Sequence, residues 1–348
     1  MKNTDLIIKL NKEKSLEKSE WVTLFKTATP EDRKFAAKIA QEIAKEQFGN
    51  KIYMRALIEI SNICKNDCLY CGIRASNKDV CRYRMNREQI LECCHIGYKS
   101  GFRTFVLQGG EDGSFSDELL TEIIGEIKGN YPDCALTLSL GERSKESYEK
   151  LYSAGADRYL LRHETATKEH YEKLHPENLS FENRMECLKN LKEIGFQTGC
   201  GMMIGSPYQT AENLAEDMLF IEKFKPHMIG VGPFLPAKNT PFETMKAGTL
   251  SETLFVVSLI RIMRPSVLLP ATTALGTLAK DGRCQAILAG ANVMMPNISP
   301  EENRKNYSLY DNKIGTGENA ETSIDNVVRA LAEIGYYPSV ERGDYREK

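Results

Sequence analysis

From residue 51 onward, short apolar runs alternate with amphipathic helical stretches, and this alternation limits the possible fold more than any other feature of the sequence. Several helical stretches end at a glycine before the next run, as at Gly101, Gly155 and Gly195, where a helix terminus favours glycine. Strict alternation predicts a parallel sheet, and eight units predict an α/β fold with a complete (β/α)8 TIM-type barrel, whereas a doubly wound sheet usually stops at about five or six strands. The predicted strands are Tyr53–Ile60, Thr104–Gln108, Ala135–Leu140, Arg158–Leu161, Gln197–Met203, Met228–Gly232, Val267–Pro270 and Asn292–Met295.

Two segments flank the predicted barrel, which we place at residues 51–300. Residues 1–50 carry apolar side chains at helical spacing, and Thr29 followed by Pro30 is typical of a helix start, so a helical extension is predicted there. Residues 301–348 are rich in Asn and Glu and contain a helical pattern near Ser323–Ile334. This C-terminal segment is predicted to cap the barrel.

Charge and hydropathy exclude several classes of function. Lys and Arg total 46 and Asp and Glu total 48, which gives a formal net charge of -2. A nucleic-acid binder that works through bulk charge, or a polybasic membrane anchor, would need a clear basic excess. The sequence contains no run of roughly 20 apolar residues and no apolar signal core near its start. We therefore expect a cytoplasmic protein whose partners include neither nucleic acid nor membrane.

Three of the ten cysteines form a C-x3-C-x2-C motif directly after the first predicted strand, at Cys64, Cys68 and Cys71. Three thiolates in one short loop can bind three irons of a cubane cluster and leave the fourth iron without a protein ligand. Structural zinc is the alternative, but it requires a fourth ligand, for which Cys81 and His95 are candidates without a standard zinc spacing. The other seven cysteines are predicted to be small, buried or half-buried thiols.

Polar residues follow several predicted strands at their carboxyl ends, where active sites of such barrels lie. The pair Gly109-Gly110 permits close approach of the backbone to a ligand, Arg162 suits a bidentate contact with a carboxylate, and the hydroxyls of Thr272 and Thr273 suit an anion. Tight turns, rim ion pairs and ordinary strand ends are the structural alternatives for these residues. Arg184, at a helix start, could reach the same carboxylate as Arg162, but a solvated charge on the helix explains it nearly as well.

The cysteine spacing, with the aromatic Tyr70 before the last cysteine, resembles the radical S-adenosylmethionine (SAM) enzymes. This resemblance implies one [4Fe–4S] cluster on Cys64, Cys68 and Cys71, and SAM that is cleaved reductively to a 5′-deoxyadenosyl radical. It also implies that Arg162 and Arg184 meet the SAM carboxylate and that Glu164 meets the ribose. The implied SAM contacts are Tyr70, Gln108, Gly109, Gly110, Glu111, Ser139, Glu142, Arg162, Glu164, Arg184 and Met203.

Longer stretches are similar to the [FeFe]-hydrogenase maturases within this family, relatives of biotin synthase and methylornithine synthase. These stretches include Ile58–Asn62, Cys64–Gly72, Val106–Asp112, Gly155–Thr165 and Pro270–Thr273. The resemblance implies an organometallic substrate, a cysteine-bound iron with two CO ligands and a cyanide, delivered by a partner maturase. It further implies other hydrogenase maturases and an electron donor as partners.

The hydroxyls of Thr272 and Thr273 suit a cyanide or carboxylate group of such a substrate, and the resemblance implies that Tyr307 and Tyr310 face the substrate where the tail closes the cavity. No cysteine follows Cys284, so a single cluster is expected. Two other functions stay open at this point: an amino-acid mutase of the methylornithine synthase type, and a non-enzymatic iron–sulfur carrier or scaffold. A carrier would have no use for a rim of arginine, glutamate and threonine side chains.

Overall fold

A computed structural model describes residues 2–315, 317 and 320–347. The helices are α1 (Asn3–Glu13), α2 (Lys18–Thr27), α3 (Pro30–Phe48), α4 (Arg87–Lys99), α5 (Asp117–Asn130), α6 (Lys145–Ser153), α7 (Lys168–Leu174), α8 (Phe181–Ile194), α9 (Ala211–Phe224), α10 (Leu250–Met263), α11 (Thr273–Leu278), α12 (Gly282–Leu288), α13 (Glu301–Asn306) and α14 (Ala320–Glu333). The strands are β1 (Lys51–Met54), β2 (Ala56–Ser61), β3 (Thr104–Gly109), β4 (Ala135–Ser139), β5 (Arg158–Leu160), β6 (Gln197–Ile204), β7 (Met228–Pro233), β8 (Val293–Met294) and β9 (Tyr337–Ser339).

Six strands form one parallel sheet in the order β2-β3-β4-β5-β6-β7, so neighbours along the chain are neighbours in the sheet. Each crossover contains at least one helix, as parallel pairing requires. Register places Glu59, Gln108 and Ser139 side by side on the first three strands. Because alternate residues of a strand share a face, these three side chains point to the same side of the sheet.

A second parallel sheet has the order β8-β1-β9. The predicted strand Tyr53–Ile60 is therefore two strands that break at Arg55 and belong to different sheets. The predicted strand Val267–Pro270 is wrong as a continuous strand: it contributes only isolated bridges, from Leu268 to Met228 and from Pro270 to Val293. Proline has no N–H to donate to a ladder, which helps to explain the interruption.

Helices α1 to α3 pack against the outer layer of helices, chiefly α9 and α10. Trp21 and Leu24 of α2 are fully buried in this contact layer, and α10 is apolar nearly all round because it lies between the sheets and α3. No helix within the described ranges is long and apolar enough to span a membrane.

The amino ends of the strands are covered by the end of the chain. The guanidinium group of Arg158, fully buried on β5, donates to the Thr104 hydroxyl at 3.1 Å and pairs with Asp344 at 2.6 Å. Arg342 pairs with Asp157 at 2.9 Å beside it. This end of the sheet is filled by an ion-pair network, so the site must be sought at the carboxyl ends.

Candidate active site

The three motif cysteines lie in the connection between β2 and α4, at the carboxyl end of β2. All three are half-buried free thiols. The guanidinium group of Arg82 holds this connection in shape by donating to four backbone carbonyl oxygens at 2.6–3.0 Å, those of Asn62, Ile73, Arg74 and Asn77. Arg82 was not among the predicted site residues, since a lone arginine in a loop gives no sign of such a role.

Burial raises the pKa of all three thiols, that of Cys71 to about 12, and the proximity of Cys64 and Cys71 raises the pKa of Cys68 further. Thiolates so close together require compensating positive charge, which iron supplies. Over residues 2–315, 317 and 320–347, no three His, Cys, Asp or Glu side chains are arranged to hold a single metal ion. A cubane takes one thiolate on each of three irons, so its ligands need not converge on one point, and the loop fits such a cluster.

The turn after β3 packs directly on the cysteine loop. A Cβ atom at Gly110 would lie 2.3 Å from the Ile63 carbonyl oxygen and 2.8 Å from Cβ of Cys64, so only glycine fits there. The Lys65 amide donates to the Glu111 carbonyl oxygen at 3.0 Å. The Gly109-Gly110 turn is thus fixed beside the cysteines, with its backbone close to the candidate cluster.

A cavity of about 330 Å³ opens next to Cys71 at the carboxyl ends of the strands. It collects side chains from β2 through β7, from the start of α11 and from the segment after α13. Twelve predicted site residues line it: Tyr70, Cys71, Gln108, Gly109, Ser139, Arg162, Glu164, Met203, Thr272, Thr273, Tyr307 and Tyr310.

Arg162 and Glu164 face this cavity with unused hydrogen-bonding capacity. Arg162 Nη2 lies 3.0 Å from Glu164 Oε2, yet both atoms and Arg162 Nε are buried without an aligned hydrogen bond. Buried polar groups normally have hydrogen-bond partners, so these unpartnered atoms are candidates for contact with a ligand. SAM offers a carboxylate to the guanidinium group and ribose hydroxyls to the carboxylate, so these residues fit it.

The backbone around Glu164 is held by a buried pair. Glu164 has a φ of 65°, which is unusual outside glycine, and its amide donates to the Gly201 carbonyl oxygen at 3.0 Å. His163 accepts a hydrogen bond from the Gly201 amide at 3.2 Å and lies 3.3 Å from Asp217, with both side chains fully buried. His163 therefore has a hydrogen-bonded structural role beside the cavity.

Four of the implied SAM contacts, Gly110, Glu111, Glu142 and Arg184, lie outside the cavity wall. Arg184 donates to Glu142 at 2.5 Å and to the Arg162 carbonyl oxygen at 2.6 Å, so it supports the backbone of Arg162. Burial alone would lower the pKa of Arg184, but the nearby Tyr171 and Glu142 raise it overall. Glu111 and Glu142 line a neighbouring pocket of about 270 Å³ instead.

Tyr70 is oriented by a histidine that was not among the predicted site residues. His175 Nδ1 lies 2.9 Å from the Tyr171 carbonyl oxygen and donates to it, so Nε2 accepts the hydrogen bond from the Tyr70 hydroxyl at 3.2 Å. Burial, assisted by Arg184, lowers the pKa of His175 to about 3, so the ring is neutral at physiological pH. A neutral histidine can keep this acceptor role over the whole physiological pH range.

Two charged residues of the cavity wall, Glu59 and Lys313, were not among the predicted site residues. The side chain of Glu59 is 1% exposed and that of Lys313 is 8% exposed, and Lys313 Nζ lies 2.6 Å from Glu59 Oε1. Glu59 had a signal, because a carboxylate in the apolar run Ala56–Ile60 needs a buried partner. Lys313 had none, since it is one lysine of a polar tail.

Comparisons with known proteins agree with this geometry. The family described as the Radical SAM superfamily matches residues 58–221. The [FeFe] hydrogenase maturase subunit HydE of Thermotoga maritima is 44% identical over 306 residues, which cover 88% of this chain and 87% of that protein. The 3-methylornithine synthase of Methanosarcina acetivorans is 27% identical over 86% of this chain and 84% of its own length. The crystal structure of methylornithine synthase (PylB) aligns with a TM-score of 0.83 at 26% identity, covering 96% of this chain and 97% of that one.

Proposed function

The chain belongs to the radical SAM superfamily and, within it, to the family of the maturase HydE, and we propose that it acts in assembling the diiron site of [FeFe]-hydrogenase. The observation that carries this proposal is the cavity itself: Cys71, Arg162 and Glu164 share its wall with Thr272 and Tyr307. The relative at 44% identity supports the choice of reaction, because it is a hydrogenase maturase and the similarity extends over most of both chains.

Members of the superfamily carry a [4Fe–4S] cluster and use SAM, and we assign one cluster to Cys64, Cys68 and Cys71. When bound, this cluster supplies the electron that cleaves SAM reductively. The chain's own residues bind and orient the cofactor. Arg162 holds the carboxylate of SAM, and Glu164 accepts from its ribose hydroxyls.

The other implied SAM contacts fall into two groups: residues that line the cavity and residues that hold the cavity wall in place. Gln108, Gly109, Ser139, Met203 and Tyr70 form the wall that SAM would occupy. The Gly109-Gly110 turn lets the backbone approach the ammonium group of SAM. Behind the wall, Arg184 pairs with Glu142 and donates to the Arg162 carbonyl oxygen, and Glu111 accepts from the Glu142 amide at 3.0 Å.

As substrate we propose a cysteine-bound iron with two CO ligands and a cyanide, supplied by a partner maturase. Thr272 Oγ1 is a buried hydroxyl without a partner among the described residues, and with Thr273 it offers hydrogen bonds to an anionic group. The buried Tyr307 and the half-buried Tyr310 line the same wall and would limit entry of water to a reactive species. The remaining proposed partners are the other hydrogenase maturases and an electron donor.

We also propose that the two sheets close into one complete barrel over residues 51–300, between a helical extension at 1–50 and a cap at 301–348. Backbone hydrogen bonds at the seams support this arrangement. Ile229 donates to Leu268 at 3.0 Å, Ala271 to Val293 at 2.9 Å and Leu57 to Pro296 at 3.0 Å.

An amino-acid mutase is the second candidate, favoured by the structural similarity to methylornithine synthase. The two functions predict different products and activities, which can be measured on one anaerobically reconstituted preparation. A maturase should form 5′-deoxyadenosine and activate apo-hydrogenase in the presence of its partner maturases. Formation of 3-methylornithine from an amino-acid substrate would favour the mutase, and a protein that binds its cluster but never cleaves SAM would be a carrier.

A further inference from the structure

The ion pair between Glu59 and Lys313 is the one charged element of the described cavity wall that SAM binding leaves unused. Both residues line the main cavity and also a smaller pocket of about 70 Å³ behind it. The pair therefore lies between two open volumes while remaining almost inaccessible to bulk water.

Stability alone gives little reason for such a pair. Removing two charges from water costs about as much as their attraction returns, and apolar replacements are often neutral or stabilising. Buried ionic groups in a cleft are functional candidates for that reason. Here the pair lies beside Gln108 at the register level that forms the cavity wall.

Each charged group is anchored by a hydrogen bond to the protein and also lines the cavity. Asn297 Nδ2 donates to Glu59 Oε2 at 2.7 Å, and Lys313 Nζ donates to the Tyr307 carbonyl oxygen at 2.8 Å. An ammonium group has three donors, and described residues engage two of those of Lys313. Both groups can thus exchange their mutual bond for a ligand without losing their anchors.

We propose that Glu59 and Lys313 together bind the amino-acid part of the substrate, with Lys313 on its α-carboxylate and Glu59 on its α-amino group. One ion pair is then replaced by two contacts to the ligand, and no charge remains uncompensated. An amino group keeps N–H donors whether or not it is bound to iron. The inference rests on the proposed function in taking the substrate to carry a cysteine.

The test uses cluster-loaded protein with SAM bound and no reductant, so that SAM fills its own site and the cluster. The probe is S-methyl-L-cysteine, compared by calorimetry with 2-(methylsulfanyl)ethylamine, which lacks the carboxylate, and 3-(methylsulfanyl)propionate, which lacks the amino group. We expect each truncation to weaken binding to the wild-type protein about tenfold or more, the scale of one charge-assisted hydrogen bond. Failure to bind the intact probe, or equal affinity for all three, overturns the proposal without any variant.

Variants then assign the two contacts. Lys313→Met should abolish the preference for S-methyl-L-cysteine over the amine, and Glu59→Gln should abolish its preference over the propionate. Lys305→Met is the matched control, because Lys305 lies in the same segment but pairs with Glu301 on the surface at 2.6 Å. A uniform loss of affinity for all three probes in either variant would indicate a structural pair and overturn the proposal.

Hydrogenase maturation measured on the same preparations separates this inference from the proposed function. Maturation by a wild-type protein that does not discriminate among the probes refutes the amino-acid site alone. Discrimination without maturation refutes the maturase assignment and leaves the amino-acid site standing.

Discussion

Replacing Arg162 with lysine tests the assignment of the SAM carboxylate most directly. The substitution keeps the positive charge but loses the planar fork that makes two parallel hydrogen bonds. Arg162 has two buried N–H groups, on Nε and Nη2, without aligned partners, and lysine would replace them with a single flexible donor. The expected loss is thus about one charge-assisted hydrogen bond, roughly 1.5–3 kcal/mol when fully buried.

Solvent reduces that figure, because the side chain of Arg162 is 33% exposed. Allowing for screening leaves about 1–2 kcal/mol, which corresponds to a rise in the Kd for SAM of about 5- to 30-fold. The Kd would be measured by equilibrium dialysis on cluster-loaded protein under anaerobic conditions. Arg143→Lys is the matched control, since Arg143 pairs with Asp117 at 3.2 Å outside the cavity wall.

Decarboxylated SAM completes a thermodynamic cycle. The wild-type protein should bind it more weakly than SAM, whereas the Arg162→Lys variant should discriminate less between the two. If the variant binds SAM as tightly as wild type does, or discriminates equally well, then Arg162 does not contact the carboxylate. An equal loss in Arg143→Lys would point to a general effect on the rim.

Three other outcomes follow from the structure. Cys68→Ala should lose the cluster, as judged by iron content and electron paramagnetic resonance, while Cys284→Ala should retain it; iron loss in the second variant would expose a wrongly assigned ligand. The double variant Thr272→Val, Thr273→Val keeps shape but removes hydroxyl donors, so maturation of hydrogenase should fall far more than cofactor cleavage; wild-type maturation would refute the anion site. Burial would raise the pKa of Asp344, but hydrogen bonds and charge from neighbouring arginines lower it overall, so its ionised form stabilises the fold above about pH 4 and that contribution declines as pH falls further. Asp344→Asn should therefore lower the free energy of unfolding at pH 7 more than at pH 3, and an equal loss at both values would contradict the linkage.

The alternation of strands and helices could be predicted from the sequence because each element is specified by the residues within and next to it. The six strands of the main sheet and helices such as α4 and α8 arise where apolar periodicity, caps and terminal glycines agree, for instance at Asn86, Ser180 and Gly195. The break at Arg55 was not readable, because apolar residues continue on both sides of it. Strand pairing depends on partners far away in the chain. The short run Val293–Met294, for example, forms a strand because it pairs with β1.

The candidate site could also be predicted only in part from the sequence. The rule that parallel strands deliver their following residues to one edge placed most predicted side chains on one cavity. It could not say which of them point into that cavity. Glu142 and Arg184 lie at the correct edge, yet they pair with each other and do not line the cavity.

The residues from the tail were the hardest to predict, and the reason is physical. Lys313 meets Glu59 across 254 positions of sequence, and Asp344 meets Arg158 across 186. The chain places one tail segment at the carboxyl ends of the strands and a later one at their amino ends, so each end receives charged partners that no neighbouring sequence specifies. A buried charge in a strand is the only local sign of such a contact, because it must be compensated from somewhere. Glu59 in its apolar run and Arg158 at the start of β5 both give that sign, and both of their partners come from the last 50 residues. Buried charges in predicted strands therefore indicate where a distant segment must close over the strands, even when the segment itself carries no motif.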